Sequence, residues 1–334
     1  MKNRRDAKFL YLLILMLITF SALSTSTYAW FTSNRVVTVR TINIHVAASG
    51  GIEISADGLN WKAALEPDDI INVHKTTYRS SVNQIPDEMQ PVSTGKEVDT
   101  STGYLKMYYG TTDTDRNGDY FLASERTVEV EGNGADSDGK FVVFDLFFKV
   151  NGDTQLYLTN ESRVTYLDEE NGKGIAAATR IAFVDEGTVP KDSPLPDIQG
   201  LKRGNNGTVY IWEPNYDVHT DAAIVSAQEL FGITTSRTNA ARINYDGVIN
   251  NIPSSAHVLI KNAKSSNYPY YFKSVHIDYA TKQDFVDYVP AFTIRGGITK
   301  IRVYMWIEGQ DIDCENNASY DNIKFDLQLT VNPT

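Results

Sequence analysis

The sequence predicts an all-β chain, a jelly-roll-like β-sandwich with long loops and short helices inserted between its strands. Three observations lead there. Segments near both chain ends alternate apolar and polar residues with period two, the signature of a strand with one covered face. Aromatic residues make up 11% of the chain, with 19 Tyr and 14 Phe, a surplus that suits pleated surfaces better than helices. Clusters of Gly, Asn, Asp and Pro then punctuate the apolar segments at short intervals.

In chain order, the first eight residues carry Lys2, Arg4, Arg5 and Lys8, and residues 9–20 are an apolar block of signal-peptide length. A polar, small-residue stretch follows at 21–27. Thr27 and Ala29 then occupy −3 and −1 of a cut between Ala29 and Trp30. The apolar block is shorter than the ~20 residues that span a bilayer. An uncleaved anchor is the alternative, and both readings place the rest of the chain outside the cytoplasm. The expected organisation is a leader at 1–29 and a β-sandwich domain at 30–334, with an insertion around 185–257.

Residues 35–46 alternate, with Val37, Val39, Ile42 and Ile44 at apolar positions, and read as an N-terminal strand. Strand 52–55 follows the Gly50-Gly51 turn, and the polar stretch 86–102 reads as a surface loop. Strands are expected at 104–110, 120–131, 141–150 and 156–159. The run Phe141-Val142-Val143-Phe144-Asp145-Leu146-Phe147-Phe148 is nearly continuous apolar, as in a central strand covered on both sides. A short helix at 174–180 leads into a strand at 181–184. The Pro-rich stretch 190–206 is a long loop, 208–212 a strand, 221–231 helical, and 232–257 polar and irregular. Strands return at 270–279, 291–294, 300–308 and 323–331. With strands at both ends, the termini should meet in one sheet.

Charge narrows the function. The formal net charge is −11, and loss of the basic leader makes the remainder more acidic still, which disfavours binding to nucleic acid or anionic lipid. Cys314 is the only cysteine, so stability must come from packing or bound metal rather than from an internal disulfide.

Three constellations bear on chemistry. In Asp113-Thr114-Asp115-Arg116-Asn117-Gly118-Asp119, oxygen ligands at Asp113, Asp115, Asn117 and Asp119 with Gly at the sixth place resemble the first half of a calcium loop. The twelfth position is Ser124 rather than Glu, so an acidic hairpin turn is the competing reading. Glu308, Asp311, Asp313 and Glu315 surround Cys314 and read as a solvated acidic loop. The stretch 212–219 gathers Trp212, Glu213, Tyr216, Asp217 and His219; structural use is expected, with Trp212 under the loop and Asn215 or Asp217 capping the turn. The five histidines are scattered without a His-Glu-x-x-His pair, and no nucleophile elbow, phosphate loop or dinucleotide fingerprint occurs. No catalytic residue and no cofactor other than calcium is therefore assigned.

The run Thr27-Tyr28-Ala29-Trp30-Phe31-Thr32-Ser33-Asn34, straight after the apolar block, resembles the junction of proteins processed by a SipW-type signal peptidase, which include the TasA/camelysin family of biofilm-matrix fibre proteins. The resemblance covers the first fifth of the chain. It implies a secreted or cell-surface structural protein whose partners are the signal peptidase, further copies of itself and envelope or matrix components. Residues 35–46 would then complete the sheet of a neighbouring subunit. Camelysin would also imply a protease, an activity with no ligand set here to support it. The rival expectations are a glycan- or protein-binding module and an extracellular hydrolase using a carboxylate pair.

Overall fold

The central sheet is assembled from the most apolar segments of the chain. A computed structural model describes residues 37–43, 52–114, 116–117, 120–130, 132–134, 138–159, 161–166, 174–203, 208–228, 232–238, 243–259, 269–277, 289–314 and 322–331. Its strands are β1 (Val37–Asn43), β2 (Glu53–Ser55), β3 (Gln84–Pro86), β4 (Glu88–Met89), β5 (Val92–Ser93), β6 (Met107–Thr114) and β7 (Tyr120–Thr127). They continue as β8 (Gly132–Gly134), β9 (Val142–Val150), β10 (Thr154–Leu158), β11 (Arg163–Tyr166), β12 (Thr179–Val189) and β13 (Val209–Trp212). The last are β14 (Tyr245–Val248), β15 (Val258–Leu259), β16 (Phe272–Val275), β17 (Phe292–Ile294), β18 (Gly297–Ile307), β19 (Asn322–Asp326) and β20 (Leu329–Thr330).

The chain is the expected all-β sandwich, with only short helices. The largest sheet runs β13-β12-β18-β9-β3-β8, with β2 also paired to β9. Smaller sheets are β11-β19-β1-β4, β17-β10-β20, β15-β7-β6-β5 and β14-β16. Short helices at Pro67–Ile71, Ile175–Ala178, Leu195–Gln199 and Asp221–Ser226 join them. Among the described residues no helix is long and apolar enough to cross a membrane; residues 1–36, including Ala29 and Trp30, lie outside them.

Strands β9, β18 and β12 pair antiparallel over long registers, Val303 opposite Phe144 and Phe183 opposite Val303. Their first face carries Phe144, Leu146 and Phe148 with Ile301, Val303, Met305, Ile181 and Phe183. Phe292 of β17 packs on it, 4.7 Å from Phe183 and 5.8 Å from Phe148 between ring centroids. Each such side chain contributes roughly 1.5–3 kcal/mol of burial. The second face carries Val143, Ala182, Val184, Tyr304 and Trp306, covered by Val92, Leu105, Met107, Tyr245 and Val275 from β5, β6, β14, β16 and the approach to β6.

Strand β9 is thus the doubly covered strand that its apolar run predicts. Strand β18 is a correction. Its alternation reads as one wet face, but every residue from Gly297 to Ile307 is buried, Lys300 and Arg302 included. Two further corrections follow. The polar stretch 86–102 holds the short strands β4 and β5, with Met89, Val92 and Ser93 buried, so only its later part behaves as a surface loop. The last predicted strand breaks at Leu327 and Gln328 into β19 and β20, which belong to different sheets. Within 185–257, β13 is hydrogen-bonded to β12 as an edge of the central sheet, and β14 pairs with β16.

The turn after β2 is held by one carboxylate. Asp57 Oδ1 accepts from Ser55 Oγ, Leu59 N and Asn60 N, each at 2.8 Å, and Oδ2 accepts from Asn60 Nδ2 at 2.7 Å and Thr77 Oγ1 at 2.6 Å. Burial alone would raise its pKa, but these donors win and hold it at about 2. Asp57→Ala strands several of these donors and is expected to destabilise the fold by about 2–4 kcal/mol in urea unfolding.

Candidate functional site

Two places in the fold gather the residues that the sequence singled out. The first is the seat of the N-terminal strand. Val37, Val39 and Ile42 lie in β1, and Ile44 lies outside the described residues. Strand β1 runs parallel to β19, with Thr38 opposite Asn322, Val39 opposite Ile323, and, after a register shift before Thr41, Ile42 opposite Phe325. On its other side Val37 and Thr38 pair antiparallel with Met89 and Glu88 of β4. The two ends of the chain therefore meet in one sheet, as expected, and they do so in parallel. Ile323, Phe325 and Met89 are fully buried around this seat. A terminal strand closed on a partner nearly 300 residues away gains its pairing only after the intervening chain has folded.

The second place lies at the end of β18. Of the acidic loop, expected to be solvated, the described carboxylates are buried, Glu308 and Asp313 fully inaccessible and Asp311 nearly so, and Glu315 lies outside the described residues. The stretch 212–219 comes to meet it. Arg180, expected at the end of a short helix, lies in β12 opposite Trp306 in register and is fully buried. Its Nη2 contacts both Asp311 Oδ2 and, at 3.2 Å, Glu213 Oε1, while Nη1 donates to the carbonyls of Ala177 at 2.9 Å and Thr179 at 3.1 Å. His219 Nδ1 and Asp313 Oδ2 are 2.7 Å apart, and Thr220 N donates to Asp313 Oδ1 at 2.9 Å. Glu308 accepts from Trp306 Nε1 at 3.0 Å and Gln310 N at 3.1 Å.

Electrostatics in this enclosure follow from burial. Desolvation outweighs the pull of Arg180 and holds the Glu213 carboxyl up at about 8. Glu308 also sits at about 8, because desolvation exceeds the help of its hydrogen-bond donors and of Arg180. Burial raises Asp313 as well, against the hydrogen bond with His219, and pushes the Cys314 thiol well up, which disfavours the reactive thiolate. Trp212 is buried beneath the segment, as expected. Asn215 caps neither turn of its own; its Nδ2 donates to the carbonyls of Val164 and Ala176, each at 3.0 Å, tying β11 to the helix Ile175–Ala178. A cavity of about 830 Å³ opens beside His219, between β11 and Thr220.

A second buried ion group on the same sheet face escaped sequence reading. Asp145 lies directly opposite Arg302 in register. Arg302 Nη1 reaches Asp145 Oδ1 at 2.8 Å, Lys300 Nζ reaches Oδ2 at 3.1 Å, and the Tyr78 hydroxyl donates to Oδ2 at 2.8 Å. The only signal was a lone Asp in an apolar run facing a strand with alternating cations.

The calcium-like run sits at the tip of the β6–β7 hairpin. Asp113 and Thr114 belong to β6, opposite Phe121 and Tyr120. Asn117 is an exposed turn residue, and Asp115, Gly118 and Asp119 lie outside the described residues. Among the described residues no group of three or more His, Cys, Asp or Glu side chains is arranged to hold a metal ion. No protein-family model matches the chain, and comparisons with curated proteins and with solved structures find no match either.

Proposed function

We propose that the chain is an exported structural protein of the cell surface or extracellular matrix, assembling into fibres when β1 leaves its own sheet and enters that of a neighbour. The observation that carries this reading is the position of β1. It is the first described strand after the leader-like segment, and it is seated between β19 and β4. The same pairing made between two copies preserves every backbone hydrogen bond of the seat, so exchange is nearly neutral in contact energy and is set by concentration and by the opening of the strand. A head-to-tail exchange does not close on itself and propagates into a filament. The acidic surface supports solubility outside the cell and gives no footing to nucleic acid.

Cysteines at Thr38 and Asn322, directly opposite in the β1–β19 register, test the exchange. Oxidised after assembly, Thr38→Cys with Asn322→Cys is expected to give a ladder of covalent multimers on a non-reducing gel. Deleting residues 30–46 should abolish filaments seen by electron microscopy. Monomers alone in the first experiment, or unchanged filaments in the second, would remove strand exchange from consideration.

A binding module is favoured by one observation, the cavity bounded by Val164, Tyr166, Ala176, Val218 and His219. Saturable glycan binding by monomeric protein without any polymer would support that reading instead.

A further inference from the structure

The segment 308–314 connects the central sheet to β19, and its charged side chains all point into one enclosure. Among the described residues, the charged and titratable groups facing it are Arg180 of β12, Glu213 after β13, His219 ahead of the helix Asp221–Ser226, and Tyr245 of β14. The segment itself supplies Glu308, Asp311, Asp313 and the Cys314 thiol. Four buried carboxylates thus face one guanidinium and one imidazole. Counted over the described residues and fully ionised, even with His219 protonated, the enclosure holds four negative charges against two positive ones, a state that burial makes very unfavourable. Neutralising protons is the cheaper arrangement. Asp311 has the closest approach to Arg180, and Asp313 has His219, so the protons belong on Glu213 and Glu308. The elevated values of these two acids agree with this count.

The same segment is fastened by its backbone. Glu308 N donates to Ala178 O at 2.9 Å, Gly309 N to Val92 O at 3.0 Å, and Asp313 N to Asp311 Oδ1 at 2.7 Å. Gly174, at φ +93°, lies so close beneath the Asp313 carbonyl that any side chain there would collide with it. Closure therefore places the acids against one another whether or not they are charged.

We propose that this carboxylate–guanidinium cluster is a proton-operated latch, which holds segment 308–314 closed while two of its carboxyls carry protons and releases the segment, and the β19 strand beyond it, when they are lost. The final consequence, that β1 is freed for exchange, rests on the assembly reading above; the latch itself does not. In the closed state the cluster binds protons that the open chain gives up, so closure is strongest below the ordinary glutamate range and weakens as pH rises from about 4.5 to about 8.

Cys314 is a native reporter, because it is buried on this segment and the chain has no other cysteine. The purified full chain is treated with a pyridyl disulfide reagent between pH 5 and pH 8, each rate being divided by that of the same protein in denaturant. Protection of Cys314 is expected to fall by about tenfold per pH unit for each proton released, approaching a hundredfold where both titrate. Amides of β9 should stay protected from hydrogen exchange throughout. In the double variant Glu213→Gln with Glu308→Gln, the carboxamides stay neutral, and Cys314 should remain protected at pH 8. If that variant does not fold, Glu308→Gln alone should still halve the slope. A flat wild-type profile, an unchanged slope in the variants, or simultaneous exposure of β9 overturns the latch. Filaments that form equally at pH 5 and pH 8 despite a sloping Cys314 profile leave the latch standing and overturn its coupling to β1.

Discussion

Arg180→Met is expected to be the most damaging single substitution in this protein, removing a large part of its stability at neutral pH. Arg180 is fully buried and is the guanidinium on which Asp311 and Glu213 converge. Removing one member of an ordinary buried ion pair is destabilising by about 3–5 kcal/mol, because the partner is left charged and dry. Here Asp311 is left charged and dry in an enclosure that also holds Glu213, Glu308 and Asp313, so the loss should lie near the top of that range, against a typical total stability of about 5–15 kcal/mol. Met fills most of the volume of the Arg side chain, so a cavity is not the cause of the damage. The triple variant Arg180→Met, Glu213→Gln, Asp311→Asn isolates the charge effect, because neutral groups in the same place no longer repel. Urea unfolding of the triple variant should recover at least half of the lost stability. No recovery would mean that Arg180 matters for its hydrogen bonds to the Ala177 and Thr179 carbonyls rather than for its charge.

Much of the architecture could be read from residue order, and the limits of that reading have a common physical origin. Strand β9 was legible because an uninterrupted apolar run has no face to offer water. The meeting of the two chain ends was legible from period two at 35–46 and again near 323–331, although nothing local could say that β1 and β19 would run parallel. What period two hides is whether the polar face is wet or covered. Lys300 and Arg302 look like solvated positions until Asp145, more than 150 residues earlier, is placed opposite them. The segment around Asp311 looks like an acidic loop until Arg180, 131 residues away, arrives with Glu213 and His219. Hydropathy assigns each residue its own preference, whereas burial of an ion is decided by its partner. A rule applied to single positions therefore reads both ion groups as surface. The segments 212–219 and 308–315 were each singled out for their composition; their convergence was invisible because neither carries the other's address.

Asp145→Asn should give the second largest effect, with a pH dependence that separates it from a packing defect. Burial by itself would raise the Asp145 carboxyl; the attraction of Lys300 and then Arg302, with hydrogen bonds from Arg302 and Tyr78, overcomes it and holds the group at about 2. A carboxyl depressed in the folded state contributes stability above its unfolded pKa and loses it as pH falls toward the folded value, so wild type should weaken below about pH 4. Glu213 and Glu308 act in the opposite sense, with stability fully present below about 4.5 and lost as pH climbs through about 8. Wild type should consequently be most stable in mildly acidic solution, between about pH 4 and pH 5. Asp145→Asn keeps the side-chain shape but leaves Lys300 and Arg302 buried without their carboxylate, for an expected loss of about 3–5 kcal/mol at pH 5. Glu186 tempers this at higher pH. Its carboxyl is held up at about 7 chiefly by burial and also by repulsion from Asp145, so with Asp145 neutralised it ionises more readily and supplies a negative charge to the same cations. The difference between wild type and variant should therefore shrink between pH 5 and pH 8, and the decline of wild type below pH 4 should be shallower in the variant, the part that remains coming from Asp57. Chemical denaturation across that range measures both features. A constant difference at every pH would show that Asp145 acts through shape and hydrogen bonding, with no electrostatic hold on Lys300 and Arg302.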